Sequence, residues 1–315
     1  MEIEAITYQG LQALALFDVK LRAVVIPAWG GKIASLYDRQ RQREWLHTNP
    51  HFKYELPSYD GDYVGMFDVG GFDECFPNVG AGQYPAWPWQ AVSLPDHGEV
   101  WALPWSARQE DGSLTLAVYG VRLPYRLEKR LSLADGCLRL AYRVENPTPF
   151  ALPFVWSSHP LLDVQPGMRL EVPARSARVD GCSARFAELT EVEPGEIVPW
   201  PQIGGLDLSI IPGAEASMAV KLVARELGEG RAALVDPLAG ARFEFRFDPA
   251  LVPQIGLWLN YGGWSGKAGA PPYYNIGFEP CIGGRDRLDL AMEADEYGLL
   301  PPESTLNWWL EIRLS

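Results

Sequence analysis

Apolar and polar residues alternate along much of this chain. Tyr125, Leu127, Lys129, Leu131 and Leu133 interleave with Arg126, Glu128, Arg130 and Ser132. Leu138, Leu140, Tyr142 and Val144 interleave with Arg139, Ala141 and Arg143, and Phe243, Phe245 and Phe247 with Arg242, Glu244 and Arg246. Trp308, Leu310, Ile312 and Leu314 interleave in the same way with Trp309, Glu311 and Arg313. A period of two gives each segment one apolar face, as in a half-buried strand of an antiparallel sheet. Further strands are expected at 21–27, 33–37, 89–94, 114–120, 152–158, 168–172, 217–223, 231–235, 255–259 and 274–279. Turn signals such as Asp111-Gly112, Asp135-Gly136, Asn146-Pro147, Pro166-Gly167 and Pro212-Gly213 separate them. Sustained 3.6-residue periodicity is hard to find, and 27 Pro and 31 Gly leave long helices little room. The pattern predicts an all-β protein, a large antiparallel β-sandwich. No linker divides the chain and no repeat near 40 residues suggests a propeller, so 1–315 reads as a single domain. The stretches 48–90 and 260–273 crowd Pro, Gly, Tyr and Trp with little alternation. They read as loops over one face, where function concentrates.

Composition narrows the partners. The 27 basic and 40 acidic residues leave a net charge of -13. That lacks the basic footprint of a nucleic-acid binder and argues against adhesion to anionic lipid. No apolar run is long enough to span a membrane, and the start, Met1-Glu2-Ile3-Glu4-Ala5, has no basic region of a signal peptide. A soluble cytoplasmic protein is the expectation. The cysteines, Cys75, Cys137, Cys182 and Cys281, form no CxxC pair and read as small buried hydrophobes. No HxH, HExxH, EF-hand, Walker or GxSxG pattern occurs, so neither metal nor cofactor is expected.

The candidate chemistry lies in three short motifs, Asp96-His97-Gly98, Ser158-His159-Pro160 and Phe278-Glu279-Pro280. The chain has only four histidines, and two of them fall in these motifs. Two imidazoles and a carboxylate suffice for general acid–base catalysis. Pro160 is expected to stop the strand ladder and leave His159 near a strand end or bulge. Glu279 is expected at the end of the strand 274–278, where partial burial would suit a base. Asp73 and Glu74 lie in Gly70-Gly71-Phe72-Asp73-Glu74-Cys75-Phe76-Pro77-Asn78. Adjacent side chains of an extended segment point opposite ways, so at most one of this pair faces a given cleft. Trp258 is a candidate stacking platform, with a core role as the alternative. His47 and His51 read as ordinary loop residues.

Taken in order, these motifs resemble the galactose mutarotase-like superfamily, the aldose 1-epimerases. Ile26-Pro27-Ala28-Trp29-Gly30-Gly31-Lys32-Ile33-Ala34-Ser35-Leu36 with Glu44-Trp45-Leu46 looks like the family's opening hairpin. Gly70-Gly71 with Cys75-Phe76-Pro77, then His97-Gly98, His159-Pro160 and Glu279, follow in the family's order from about residue 20 onward. The resemblance implies the family's supersandwich, a small carbohydrate as partner, and cofactor-free interconversion of sugar anomers. It implies Glu279 as base, His159 as acid, and His97 as a sugar contact, with Asp73, Glu74 and Trp258 as further binding candidates. A carboxylate beside an imidazole favours the imidazolium, so His159 is expected to be charged. The sequence departs from the family where Glu99-Val100-Trp101 follows His97-Gly98 and where Val69 stands in place of an Arg. Asp207 and Asp236 are candidates for the family's binding Asp. The alternatives are a non-catalytic sugar-binding protein, a hexose-phosphate epimerase, and a polymer-cleaving enzyme using Asp73 or Glu74 with Glu279. The sequence leaves open whether the chain forms a homodimer.

Overall fold

The computed structural model describes residues 1–183, 192–203, 205–267 and 269–315, without the side chains of Cys182 and Ser183. Two large antiparallel sheets pack face to face. The larger has twelve strands. Its path runs Glu2–Tyr8, Leu11–Phe17, Leu21–Ile26, Lys32–Asp38, Phe72–Cys75, Trp156–Leu162, Tyr274–Ile282, Gln254–Tyr261, Met218–Arg225, Ser176–Ser183 and Ile197–Pro199. Arg43–Glu44 pairs beside this path, on Lys32–Asp38. The smaller sheet has eight strands, in the order Arg169–Glu171, Arg231–Asp236, Ala241–Phe247, Ser304–Leu314, Cys137–Asn146, Arg126–Ala134, Ser113–Tyr119 and Ser106–Glu110. The only α-helix among the described residues is the short Leu288–Glu293.

The alternation seen in the sequence becomes the inter-sheet core. Leu138, Leu140, Tyr142 and Val144 face inward, as do Phe243, Phe245 and Phe247 and Trp308, Leu310 and Ile312. From the larger sheet they meet Phe72, Trp156, Leu257, Ile276 and Phe278. Phe245 touches both Phe72 and Phe278 edge-on or tilted, and Tyr142 stacks on Trp308 with ring centroids 5.3 Å apart. Two-residue turns set the register of the hairpins. Asp111-Gly112 and Asp135-Gly136 have both residues in the left-handed region (φ 44° and 68°, 52° and 73°), the turn whose twist matches paired strands.

Several expectations need correction. The segment 89–94 is mostly turn, with only Ser93–Leu94 in a strand. Pro88 removes a backbone donor just before it and Ala91 is left-handed (φ 68°), so pairing is confined to Ser93–Leu94. The stretch 48–90 hides a central strand, Phe72–Cys75, which pairs with Trp156–Leu162. The N-terminal hairpin of Glu2–Tyr8 and Leu11–Phe17 lies before the part of the chain that resembled the family. Cys75 and Cys281 are buried and Cys137 half-buried, all as free thiols, and the side chain of Cys182 lies outside the described residues.

Glu74 is not a ligand contact. Phe72 and Glu74 turn inward while Asp73 turns to the other face, so Glu74 is buried between the sheets. There its Oε1 accepts from Lys129 Nζ at 3.1 Å and from the Tyr142 hydroxyl at 2.9 Å, and its Oε2 from Trp156 Nε1 at 3.0 Å. Lys129, which shared the apolar phase of its strand, is the matching cation and also donates to Gly31 O at 2.9 Å. Removing one member of such a pair leaves an uncompensated buried charge, at a cost of ~3–5 kcal/mol. Lys129→Met is therefore expected to lower the urea midpoint by that equivalent, and Lys129→Met with Glu74→Leu to recover part of the loss in the same unfolding experiment.

Candidate active site

Across the larger sheet the central strands line up one row of side chains on the face away from the core. His159 pairs with Asp73 on one side. On the other, Ser157 lies opposite Cys281 and Leu161 opposite Gly277, a register that sets His159 opposite Glu279. Glu279 in turn pairs with Gly256. Neither Pro160 nor Pro280 has an N–H to give, so the ladder lapses over Ser158–Pro160 and then resumes. The Ser158 hydroxyl fills the gap by donating to Pro280 O at 2.9 Å. His159 and Glu279 therefore lie within central strands rather than at strand ends.

The Glu279 carboxylate rests on a bed of glycines. A Cβ at Gly277 would stand 2.4 Å from its Oε1, and one at Gly256 2.8 Å from its Oε2. Only residues without side chains let an acid lie flat there. Lys221 reaches Glu279 from the strand Met218–Arg225, with Nζ 2.8 Å from Oε2 and 3.9 Å from Asp286 Oδ1. Glu279 Oε1 lies 3.7 Å from His159 Nε2 and has no hydrogen-bond partner among the described residues. These groups form the floor of a cavity of about 310 Å³. That is near the lower end of small-molecule sites, ~300–1,000 Å³.

The walls come from the loops. His97 lines the cavity in a left-handed conformation (φ 59°), its Nδ1 2.9 Å from Asp96 Oδ2. Its ring stacks on Tyr63 at 3.9 Å and meets the His159 ring edge-on at 5.1 Å. Trp258 and Trp264 form another wall, with centroids 5.4 Å apart. Asp68, Tyr273 and Asn275 also line it, each with a buried polar atom that has no hydrogen-bond partner among the described residues. Such atoms are what a polyhydroxylated ligand could satisfy.

Electrostatics separates the two imidazoles. Burial lowers the His159 pKa well below 6.5, and the nearby His97 and Lys221 add to this while Asp73 opposes it. His159 is thus held neutral, contrary to the imidazolium expected from its carboxylate neighbour, chiefly because its ring is buried and two cations, His97 and Lys221, lie near it. Burial alone would lower His97 too, but its bond to Asp96 outweighs that and raises it above 6.5. Burial pulls Lys221 down, yet Asp286 and Glu279 together raise it, so it stays an ammonium. Burial pushes Asp68 up to about 6.

Of the residues singled out in the sequence, His159, Glu279, His97 and Trp258 converge on this cavity. Asp73 lies behind it, where Lys32 Nζ at 2.5 Å and the Tyr63 hydroxyl at 2.9 Å bond its Oδ2. Asp207 accepts from Ser209 within its own turn, and Asp236 pairs with Arg43 at 2.7 Å, so neither reaches the cavity. Val69 packs in an apolar cluster with Trp29, Tyr63 and Trp101. A paired-carboxylate site is excluded, because Glu74 faces the core and Asp73 is engaged elsewhere. Lys221 and Tyr63 escaped the sequence reading. The signal for Lys221 was there: before the terminal Arg225, both phases of its strand are otherwise apolar, Val220 and Leu222 on one face and Ala219 and Val223 on the other. A charge in the middle of a strand buried on both faces needs a partner. Among the described residues no three His, Cys, Asp or Glu side chains gather to hold a metal, and no helix is long and apolar enough to cross a membrane.

No protein-family model matches the chain, and no curated protein matches it in sequence. Solved structures do. A galactose mutarotase-like protein from Clostridium acetobutylicum superposes with a TM-score of 0.72 at 12% identity, over 100% of this chain and 98% of that one. This chain has the galactose mutarotase-like fold. A galactose mutarotase related enzyme from Lactobacillus acidophilus shares it with a TM-score of 0.68 at 14% identity, over 96% of this chain and 97% of that one. The Slr1438 protein from Synechocystis sp. PCC 6803 does so at 0.71 and 19%, over 100% and 99%. The galactose mutarotase-like architecture extends through both sheets, including the N-terminal hairpin that the sequence motifs left out.

The histidine environments predict the pH dependence of stability. Burial also lowers His47, to about 4. His47 and His159 take protons more readily unfolded than folded, so stability falls as pH drops below 6.5. For His97 the sign is opposite: its bond to Asp96 stabilises fully below 6.5 and is lost as pH rises through its raised pKa. NMR titration of the wild type and Asp96→Asn should show His97 titrating above 6.5 and falling in the variant, with His47 near 4 in both.

Proposed function

We propose that this protein interconverts the α and β anomers of a small free sugar, as a cofactor-independent aldose 1-epimerase. The observation that carries the reading is the pair of buried groups Glu279 and His159, opposite each other on one row and 3.7 Å apart on a cavity floor. Glu279 takes the proton from the anomeric hydroxyl. Protonated His159 gives one to the ring oxygen as the bond between that oxygen and the anomeric carbon breaks. The open-chain aldehyde turns about its first C–C bond and closes on its other face, with both proton transfers reversed. His97 and the unpartnered Asp68, Tyr273 and Asn275 take sugar hydroxyls, and Trp258 offers an apolar face to the ring. The described enzyme from Lactobacillus acidophilus with the same fold supports the reaction class.

The cavity's charges favour an uncharged sugar. Asp68, Asp96, Glu279 and Asp286 outnumber Lys221 and His97 around it. Lys221 is already engaged by two of these carboxylates and His97 by Asp96, so among the described residues lining the cavity no cation is left free for a phosphate.

Glu279→Gln and His159→Asn are each expected to cut the catalysed exchange by ~10²–10⁴ while sugar still binds. Polarimetry on a panel of free aldoses, with NMR saturation transfer between anomers, checks this. Sugar binding without faster exchange in the wild type would instead mark a non-catalytic binding protein. Because His159 must be protonated to act as the acid, the alkaline limb of kcat/KM is expected on the acid side of 6.5. Raising the pH through that limb lowers the rate.

A further inference from the structure

We propose that Tyr63 is a positioning residue that fixes His159 as the Nδ1–H tautomer, so that only Nε2, the nitrogen facing Glu279, exchanges protons. The inference rests on reading Glu279 and His159 as the proton-transfer couple. It follows from counting donors along a buried chain.

Lys32 Nζ donates to Asp73 Oδ2 at 2.5 Å and to Gly70 O at 2.6 Å. Both Lys32 and Asp73 are buried, so the two charges compensate one another. The Tyr63 hydroxyl lies 2.9 Å from the same Asp73 oxygen and 3.4 Å from His159 Nδ1. A phenol has one proton to give. The shorter bond to an ionised acceptor is the stronger, so that proton goes to Asp73. The phenol oxygen then shows His159 only lone pairs, and Nδ1 must supply the hydrogen. On the far side of the ring, Nε2 faces Glu279 Oε1 at 3.7 Å, and that oxygen has no partner. No donor stands between these two atoms until a substrate hydroxyl enters.

The other groups around His159 leave the assignment unchanged. Lys221 is engaged by Glu279, Lys32 by Asp73, and the His97 ring meets His159 edge-on while its Nδ1 bonds Asp96. Any proton that neutral His159 gains therefore appears at Nε2, on the substrate side. Tyr63 is suited to hold this geometry. It opens a π-helical turn, Tyr63–Phe67, whose first residues are tied by Asp62 accepting from Gly65 N at 2.9 Å. Such turns recur at functional sites. The same ring stacks on His97, so one side chain orients both imidazoles.

Nitrogen-15 NMR of the full chain labelled in histidine tests this directly. In the wild type, neutral His159 is expected to carry its proton on Nδ1. Tyr63→Phe keeps the ring and its stacking on His97 but removes the oxygen. It should shift His159 toward the Nε2–H tautomer and lower kcat for anomer exchange ~10–100-fold, with KM and thermal unfolding little changed. An Nε2–H tautomer in the wild type overturns the proposal without recourse to any variant. So does an unchanged Nδ1–H tautomer in Tyr63→Phe. If the tautomer responds as expected but the wild type catalyses no exchange, the positioning role stands and the epimerase reading falls.

Discussion

Every central strand of the larger sheet has to serve two environments at once. A pleated strand sends successive side chains to opposite faces, so each residue given to the core is followed by one given to the cavity side. Phe72 and Glu74 go inward and Asp73 outward; Ile276 and Phe278 inward, and Asn275, Gly277 and Glu279 outward. A shift of one residue in the pairing would put phenylalanines on the cavity floor and carboxylates in the core. The hydrophobic demand of the inter-sheet core thus fixes the register, and the register alone brings Asp73, His159 and Glu279 onto one row. The site's geometry is a by-product of packing on the other side of the sheet.

The same constraint explains where the charges sit. Three lysines in or beside the larger sheet each answer one carboxylate: Lys32 with Asp73, Lys129 with Glu74, and Lys221 with Glu279. They differ in what surrounds them. The Lys129 pair is sealed between the sheets with every Glu74 oxygen bonded, an arrangement suited to holding one register. The Lys32 pair has further acceptor capacity, which Tyr63 uses. The Lys221 pair opens onto the cavity, and one Glu279 oxygen stays free. Three versions of one ion pair therefore run from sealed between the sheets to facing the cavity with one oxygen free.

Much of the fold was legible because antiparallel strands with one wet face advertise themselves by alternation. The strands Arg126–Ala134 and Cys137–Asn146, with Asp135-Gly136 between them, were read almost to their ends. The strands that form the cavity were harder, because both of their faces are buried and alternation fades. Phe72–Cys75 was hidden inside a run of Pro, Gly and aromatic residues for this reason. His159 and Glu279 were found through the order of their motifs, but their flanking prolines were misleading: a proline usually ends a ladder, whereas here Pro160 and Pro280 interrupt it at one place and the pairing resumes. Glu74 was misassigned because chain proximity to Asp73 says nothing about which face a side chain takes until the register is known. Lys221 and Tyr63 carry no motif, and only the pairing of distant strands reveals them.

The cavity floor and its walls have different prospects for change. His159 and Glu279 belong to strands locked by the core, whereas Tyr63 belongs to the irregular stretch that covers them. Sheets resist substitution; covering segments accept insertion and exchange. A lineage could keep this floor intact and still alter how its imidazoles are oriented, merely by remodelling the turn at Tyr63–Phe67. Divergence in such a protein would be written first in its covering loops, and His159 and Glu279 alone would be a poor guide to what a descendant still does.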